Sequence, residues 1–368
     1  MPLAPEYSQP RRRACASIND SSFAPKIHGA SGGAAYIGEV SAGYLPDESD
    51  KKMSGNRPQV SIAVPVFNGD NYVAEALESV LAQIYRNFEV IISDNGSTDR
   101  TEEICRGYAE RDPRVHYYRS DVNRGVYWNF RRALEPAQGD YFMWLAHDDK
   151  LAPEFLGQCV TALDRNPNAV LSYPKAIDID ERGKYLVYKE QNLNAGTARA
   201  HERFRELIRM DHNCEAIFGL MRMEVLKKIR VFGGFADADR VMLAELALYG
   251  CFSQVPEFLF LHREHPLRTT NVYPLSRFRR TAILLPQKRV KIVFPHFRQF
   301  REYLLCIHRS PLHWADRLRC YREMLRWLRC YWTRMLGDVK EVLVYILREV
   351  LGTALGWRRS DATGGGGA

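Results

Sequence analysis

The sequence predicts an α/β fold: a mostly parallel sheet with helices on both faces, followed by a basic helical region. Three observations carry that expectation. From residue 59 onward, apolar runs of strand length alternate with segments of helical periodicity, the pattern of consecutive βα units. The turns that leave those runs are polar or acidic, which places a ligand crevice beyond the carboxyl ends of the strands. Late in the chain the charge balance swings to Arg and Lys, and one apolar seam recurs at spacings of four and three.

Taken in order, "QVSIAVPVF" reads as a buried strand, "NYVAEALESVLAQI" as an amphipathic helix and "FEVIISD" as a second strand. "DRTEEICRGYAERD" continues as a helix, "RVHYYRS" as a strand, "VYWNFRRALEPA" as a helix and "YFMWLAH" as a strand. The loops "NGD", "DNGSTD" and "HDD" leave strand ends and should meet in one crevice. The last delivers Asp148 and Asp149 at the mouth of an apolar run, where an unpaired buried carboxylate would be costly. Two adjacent carboxylates there suit a hard divalent cation, Mg²⁺ or Mn²⁺. A helix cap or polar turn before Pro153 is the plainer use of the same residues.

Composition narrows the classes. At 368 residues and 46% hydrophobic content the chain can bury a large core and needs no disulfide staples. Eight scattered cysteines without a CxxC pair favour reduced thiols and argue against structural zinc. The opening strand lacks the glycine fingerprint of a dinucleotide site, and no P-loop is present. Residues 1–57, rich in Pro, Gly, Ser and Arg, read as a disordered extension, with Met53 the expected natural start, and residues 359–368 as a flexible tail. The stretch "VLVYILREVLGTALGW" is broken by Arg348 and Glu349 and falls short of the roughly 20 apolar residues a span requires. The expected location is cytoplasmic.

The segment "VSIAVPVFNGDNYVAEALESVLAQIYRNFEVIISDNGSTDRT", then "NRG" at 123–125 and the strand into "HDD", resembles glycosyltransferase family 2, the inverting enzymes of GT-A fold. The resemblance runs from about residue 59 to 268, so residues 58–270 are expected to form the catalytic domain and 271–358 the basic helical region. It implies a nucleoside-diphosphate sugar as donor, a divalent metal as cofactor and a saccharide or lipid-linked acceptor. The base and ribose roles fall on Pro65, Phe67, Asn68 and Asp94. The family's Asp-x-Asp motif, aligned on Pro153, puts Ala146 at its first carboxylate and Asp148 on the metal, with Asp149 available to compensate. His147 beside it would shape the donor pocket. The family's general base, which follows a Gly-Gly-Phe segment, falls on Asp239, with Ala238 where a Glu is usual; Asp239 as a simple cap of helix 240–250 is the competing use. His265 in "REHP" is offered as a third metal ligand. Arg263 and Arg124 are each offered as a diphosphate partner or as a structural ion pair.

Residues 271–360 hold 19 Lys and Arg against 6 Asp and Glu, so the basic character belongs to this region. Trp314, Leu318, Tyr321, Leu325, Leu328 and Trp332 form the seam of one helix, with Arg319, Arg322, Arg326 and Arg329 beside it. A second helix is expected from Asp338, where "DVKE" forms a capping box. Such a helix suits an anionic membrane surface, peripherally bound, or else packs its seam on the catalytic domain while the arginines reach water. No nucleic-acid motif accompanies the charge. Two other functions fit parts of the pattern: a sugar nucleotidyltransferase, which lacks its glycine-rich loop here, and a GT-A relic that binds nucleotide or membrane without catalysis.

Overall fold

A computed structural model describes residues 57–189, 193–209, 214–266, 268 and 292–354, with side chains through 347. Residues 1–56 of the expected N-terminal extension and the 359–368 tail lie outside the described residues. The described residues from 57 onward belong to one compact unit.

The alternating half folds as its periodicity predicts. β1 (Val60–Val66), β2 (Phe88–Asp94), β3 (Val115–Arg119) and β4 (Tyr141–Trp144) are parallel neighbours in the order β3-β2-β1-β4. Between them run α1 (Val73–Leu81), α2 (Thr101–Arg111) and α3 (Val126–Arg132). Helix α3 stops short of the predicted end because Pro136 follows, and the residue before a proline disfavours the helical region.

Strand β4 shows why its sequence is a continuous apolar run. Tyr141, Met143 and Leu145 enter one core with Val73, Leu77 and Cys105, whereas Phe142 and Trp144 enter a second with Phe204, Leu246 and Trp327. Strand side chains alternate faces, so a strand covered on both sides must be apolar at every position. The Trp144 indole N–H donates to Phe130 O at 3.0 Å, so its polar atom is satisfied in that setting.

Beyond β4 the sheet becomes mixed. Short β5 (Lys150–Leu151) leads to α4 (Phe155–Arg165), β6 (Ala169–Ile179) and β7 (Tyr185–Lys189). After α5 (Ala200–Ile208) and a short 3-10 turn come β8 (Leu220–Arg222), α6 (Met223–Leu226), α7 (Ala238–Tyr249) and β9 (Cys251–Arg263). The order continues β4-β8-β6-β9-β5, with β8 antiparallel to both neighbours, β6 parallel to β9 and β7 paired to β6. β9 begins at Cys251 because its irregular ladder with β6 draws in residues 251–257, where the sequence shows no clean alternation. The β5–β9 pairing matters for function: it lays the loop after β4 beside the end of β9.

Two helices close the chain, α8 (Pro295–Arg309) and α9 (Trp314–Ala354). α9 is one unbroken helix of 41 residues, so the expected new start at Asp338 does not occur. Gly337 is tolerated inside it, and Asp338 is used elsewhere: buried, it accepts from the His296 N–H and ring, both at 2.7 Å, and so satisfies the first turn of α8. The predicted seam packs only in part, through half-buried Tyr321 and Leu328. Cys320, Met324, Trp327, Met335 and Val342 are buried, whereas Trp314, Leu318, Leu325 and Trp332 point outward. The Trp327 indole donates to Ile208 O of α5 at 3.0 Å. The seven described cysteines are free thiols.

Candidate active site

Three strand-end loops meet as the topology requires. Asn68, at the end of β1 with φ of 50°, donates its N–H to Ser97 Oγ at 2.9 Å and accepts from the Thr98 N–H at 2.9 Å. The Gly69 N–H reaches Thr101 Oγ1 at 2.8 Å and the Asp70 N–H reaches Asp99 at 3.2 Å. The β4 loop joins by close approach: a Cβ on Gly69 would lie 2.4 Å from His147 Cδ2 and 2.6 Å from Val66 Cγ2. Only glycine admits the imidazole there, so "NG" and "HDD" are coupled sterically.

The residues expected to meet a nucleoside divide in two. Phe67 is 40% exposed at the end of β1, an aromatic face open to stacking, while Pro65 is buried within the strand. Asp94 is fully buried. One of its oxygens accepts from Ser97 N–H and Oγ at 2.8 and 2.6 Å, the other from the Tyr117 hydroxyl at 2.7 Å, with Arg119 3.6 Å away. It therefore holds the "DNGSTD" loop from beneath, with both carboxylate oxygens hydrogen-bonded. Burial and that hydrogen bond push the Tyr117 phenol well up, so the phenol stays a donor. Asn95, which sequence reasoning passed over, bonds Asn123 at 2.9 Å and accepts from the Arg124 N–H at 3.0 Å. Arg124 is exposed and lies 5.0 Å over the Trp128 ring.

The adjacent carboxylates of the acidic loop face different partners. Asp148 Oδ2 lies 3.0 Å from His265 Nε2. Burial opposes its charge, but the His265 hydrogen bond and the nearby His147 outweigh that and hold the carboxyl well below its usual range. Asp149 is 3% exposed, and its Oδ1 accepts from the Arg263 backbone N–H at 2.9 Å. Burial and the Asp148 charge push its carboxyl well up, while its bond to the Arg263 N–H ties the loop to β9.

Arg263 takes the ion-pair role of its two readings. Fully buried, it donates to Asp148 O at 2.8 Å, to Asp180 O and Glu181 O at 3.2 and 2.9 Å, and to Glu75 at 2.9 Å. Its guanidinium also lies 4.5 Å over the Tyr72 ring, which meets His265 edge-on at 4.9 Å. Tyr72 and Glu75 were missed because on α1 they look like ordinary helix-start and solvent-face residues.

A second cluster, Asp178, His262 and Glu264, brings ligand atoms within 4.8 Å of one another. The Lys189 ammonium already lies 2.7 Å from Asp178 and 3.5 Å from His262 Nδ1, and Arg268 bonds His262 Nε2 at 2.8 Å. Those cations supply the positive charge a metal would bring, so the cluster does not fit a metal. Asp148 and His265 fit better: a carboxylate oxygen and an imidazole nitrogen at a loop mouth suit Mn²⁺ or Mg²⁺.

Asp239 stands in the first turn of α7, one residue inside the helix start. The N-cap is Asp237, held at φ of 62° without a side-chain capping bond, so the capping position is not Asp239's. Burial first, then the Asp237 charge, raise its carboxyl above the ordinary range. Its Oδ1 accepts from the Arg240 N–H at 2.8 Å.

With this geometry in view, comparison with known proteins is decisive for the family. The model of glycosyl transferase family 2 matches residues 61–230, the span that builds the three loops. This segment belongs to glycosyl transferase family 2. An uncharacterized glycosyltransferase of Rickettsia typhi is 29% identical over 228 residues, 60% of this chain and 68% of that one. One from Haemophilus influenzae is 26% identical over 234 residues, 59% of this chain and 69% of its own length. The chain spans only 24% of the length of a Rickettsia bellii relative, at 32% identity over 45% of this chain. Among solved structures, S. aureus TarS 1–349 aligns with a TM-score of 0.55 at 16% identity, covering 77% of this chain and 80% of that one. That likeness shows the fold, the GT-A type of this glycosyltransferase. Among the described residues no helix is long and apolar enough to cross a membrane.

Proposed function

We propose that this glycosyltransferase moves a sugar from a nucleoside-diphosphate donor to an acceptor hydroxyl with inversion at the anomeric carbon. The Asp148–His265 pair, 3.0 Å apart where three strand-end loops meet, carries the reading. Phe67 stacks on the base, Asn68 and buried Asp94 hold the two loops that frame it, and exposed Arg124 lies within reach of the diphosphate. Asp148 and His265 would hold a divalent cation, which neutralises charge developing on the departing diphosphate. Asp239 takes the proton of the acceptor hydroxyl as its oxygen bonds the anomeric carbon and the bond to the diphosphate oxygen breaks. Its raised affinity for protons suits a general base, a role that contributes typically about 10²- to 10⁴-fold. A UDP-sugar is the first donor to test, because TarS, of the same fold, is solved with UDP and with UDP-GlcNAc. The acceptor is a saccharide or lipid-linked glycan, in surface polysaccharide or glycolipid synthesis.

Thermal-shift screening with UDP-, GDP- and dTDP-sugars, with and without Mn²⁺, tests the reading. A donor at a hundredfold excess over its Kd should stabilise by about 2.7 kcal/mol, and only when Mn²⁺ is present. Stabilisation by none of the three would leave the proposal without a substrate.

A further inference from the structure

The outward face of α9 is too long, too apolar and too basic at its edge for an ordinary solvent-facing helix. Trp314, Leu318, Leu325, Trp332, Leu336, Leu343 and Leu347 are 69, 48, 63, 53, 54, 54 and 56% exposed. Their successive spacings of 4, 7, 7, 4, 7 and 4 put them on one stripe, about 50 Å long at 1.5 Å per residue. Exposed apolar surface on that scale marks an interaction site. Tyr321 and Leu328 are half-buried between this stripe and the inward face, where Cys320, Met324, Trp327, Met335 and Val342 fix the helix to the protein. The stripe is thus additional to the packing surface.

Charge chooses the occupant. Exposed Arg322, Arg329 and Lys340 run along one flank of the stripe, and among the described residues Arg322 and Arg329 have no acidic partner. Behind them Arg319 and Arg326 pair with Asp316 at 2.9 Å and Glu323 at 2.7 Å. A second copy laid stripe to stripe would meet the same arginines. Of the helix's acids with described side chains, Glu323 and Asp338 are buried and Asp316 pairs with Arg319, which leaves exposed Glu341 alone to offset them. Trp and Leu on the face with arginines beside it match a lipid interface, where rings sit at headgroup level and guanidinium groups meet phosphate. We propose that this stripe docks the enzyme flat on an anionic lipid bilayer, Trp314 through Leu347 in the interface and Arg322, Arg329 and Lys340 on the headgroups. The inference goes beyond the transfer reaction and does not depend on it.

The test is co-sedimentation of the full chain with vesicles of phosphatidylcholine alone or mixed with phosphatidylglycerol, at low and high salt. The anionic vesicles should be bound, and more weakly as salt rises. Leu325→Glu with Trp332→Glu should weaken that binding at least about tenfold at an unchanged melting temperature, since both side chains are exposed. Leu318→Glu with Leu336→Glu probes the same face if the first pair disturbs folding. Arg322→Glu and Arg329→Glu should each weaken anionic binding about fivefold or more and leave the weak neutral binding alone. Wild-type protein that ignores anionic vesicles overturns the proposal. So does a dimer in light scattering that Leu325→Glu dissociates without vesicle binding, which would make a second copy the occupant. Donor thermal shifts, read on the same variants, report separately on the active site.

Discussion

The strand-end loops and the long terminal helix both carry a strong sequence pattern, and they use it in opposite ways. In the sheet, apolar runs are buried on both faces, so pattern and packing coincide and the polar residues left over mark the site. In α9 the most regular apolar pattern faces outward, while a less obvious set with Cys320, Met324 and Trp327 does the packing. Periodicity reports that a face is apolar; it does not report what covers it. Each region can be probed by changes whose outcomes differ between the two uses.

The largest expected effect lies at Asp239. Asp239→Asn keeps size and hydrogen-bonding capacity, so donor binding should survive while turnover falls about 10²- to 10⁴-fold. The sign of the pH dependence follows from the raised carboxyl. A base must be deprotonated, so transfer should fail as pH drops through a value above the usual Asp range, and the acid limb should vanish in the Asn variant. Stability runs the other way. A carboxyl that holds its proton more tightly when folded stabilises the fold at low pH and loses that contribution as pH rises through the folded pKa, so Asn should cost no stability near neutrality. Undiminished transfer by the Asn variant would remove Asp239 from the mechanism.

Next comes the contrast within α9 itself. Trp327 is 3% exposed and hydrogen-bonded to α5, whereas Leu325 is 63% exposed. Trp327→Ala should cost about 3–5 kcal/mol in denaturant unfolding and Leu325→Ala within about 0.5 kcal/mol. Comparable losses would mean that the apolar stripe is a packing face after all.

These residues also show what could be read beforehand. The order β1 to β4 and its helices follow from unbroken apolar runs alternating with helical periods, and the acidic loop follows from its polar end. The β6–β9 pairing was not legible, because parallel partners far apart in sequence leave no local signal, and β9 is interrupted by exposed Gln254 and Glu257. In the site, residue types were visible but not their direction. The resemblance already sets Asp148 apart from Asp149 as the metal position, but only the β5–β9 pairing shows one turned to His265 and the other to the Arg263 backbone. Asp94 reads as a nucleoside contact, and nothing local in the sequence signals that Tyr117, from the next strand, donates to its second oxygen.

That difference between neighbouring carboxylates gives the third test. Asp148→Ala should abolish the Mn²⁺-dependent part of donor stabilisation, about 2.7 kcal/mol at a hundredfold excess over Kd. Asp149→Asn should retain most of it and show its effect in the melting temperature, because its bond to the Arg263 N–H is structural. Calorimetric metal titration with donor present separates the two. Equal losses of metal response would show that both side chains reach the ion.

The smallest effect is expected at Asp338, where the sequence and the structure assign different work to one carboxylate. A capping box would have it begin a helix; the fold instead buries it within α9 and gives its oxygens to His296 in the first turn of α8. Removing a helix cap costs about 0.5–2 kcal/mol, and Asp338→Ala should fall in that range. The location of the loss distinguishes the two roles. If Asp338 caps α8, amide exchange should quicken at residues 296–298 while helicity beyond 338 is unchanged, since Ala is a better helix former than Asp. If it began a separate helix, exchange would quicken at 339–341 instead. Faster exchange there, with α8 unaltered, would break α9 in two and end the 50 Å stripe at Leu336.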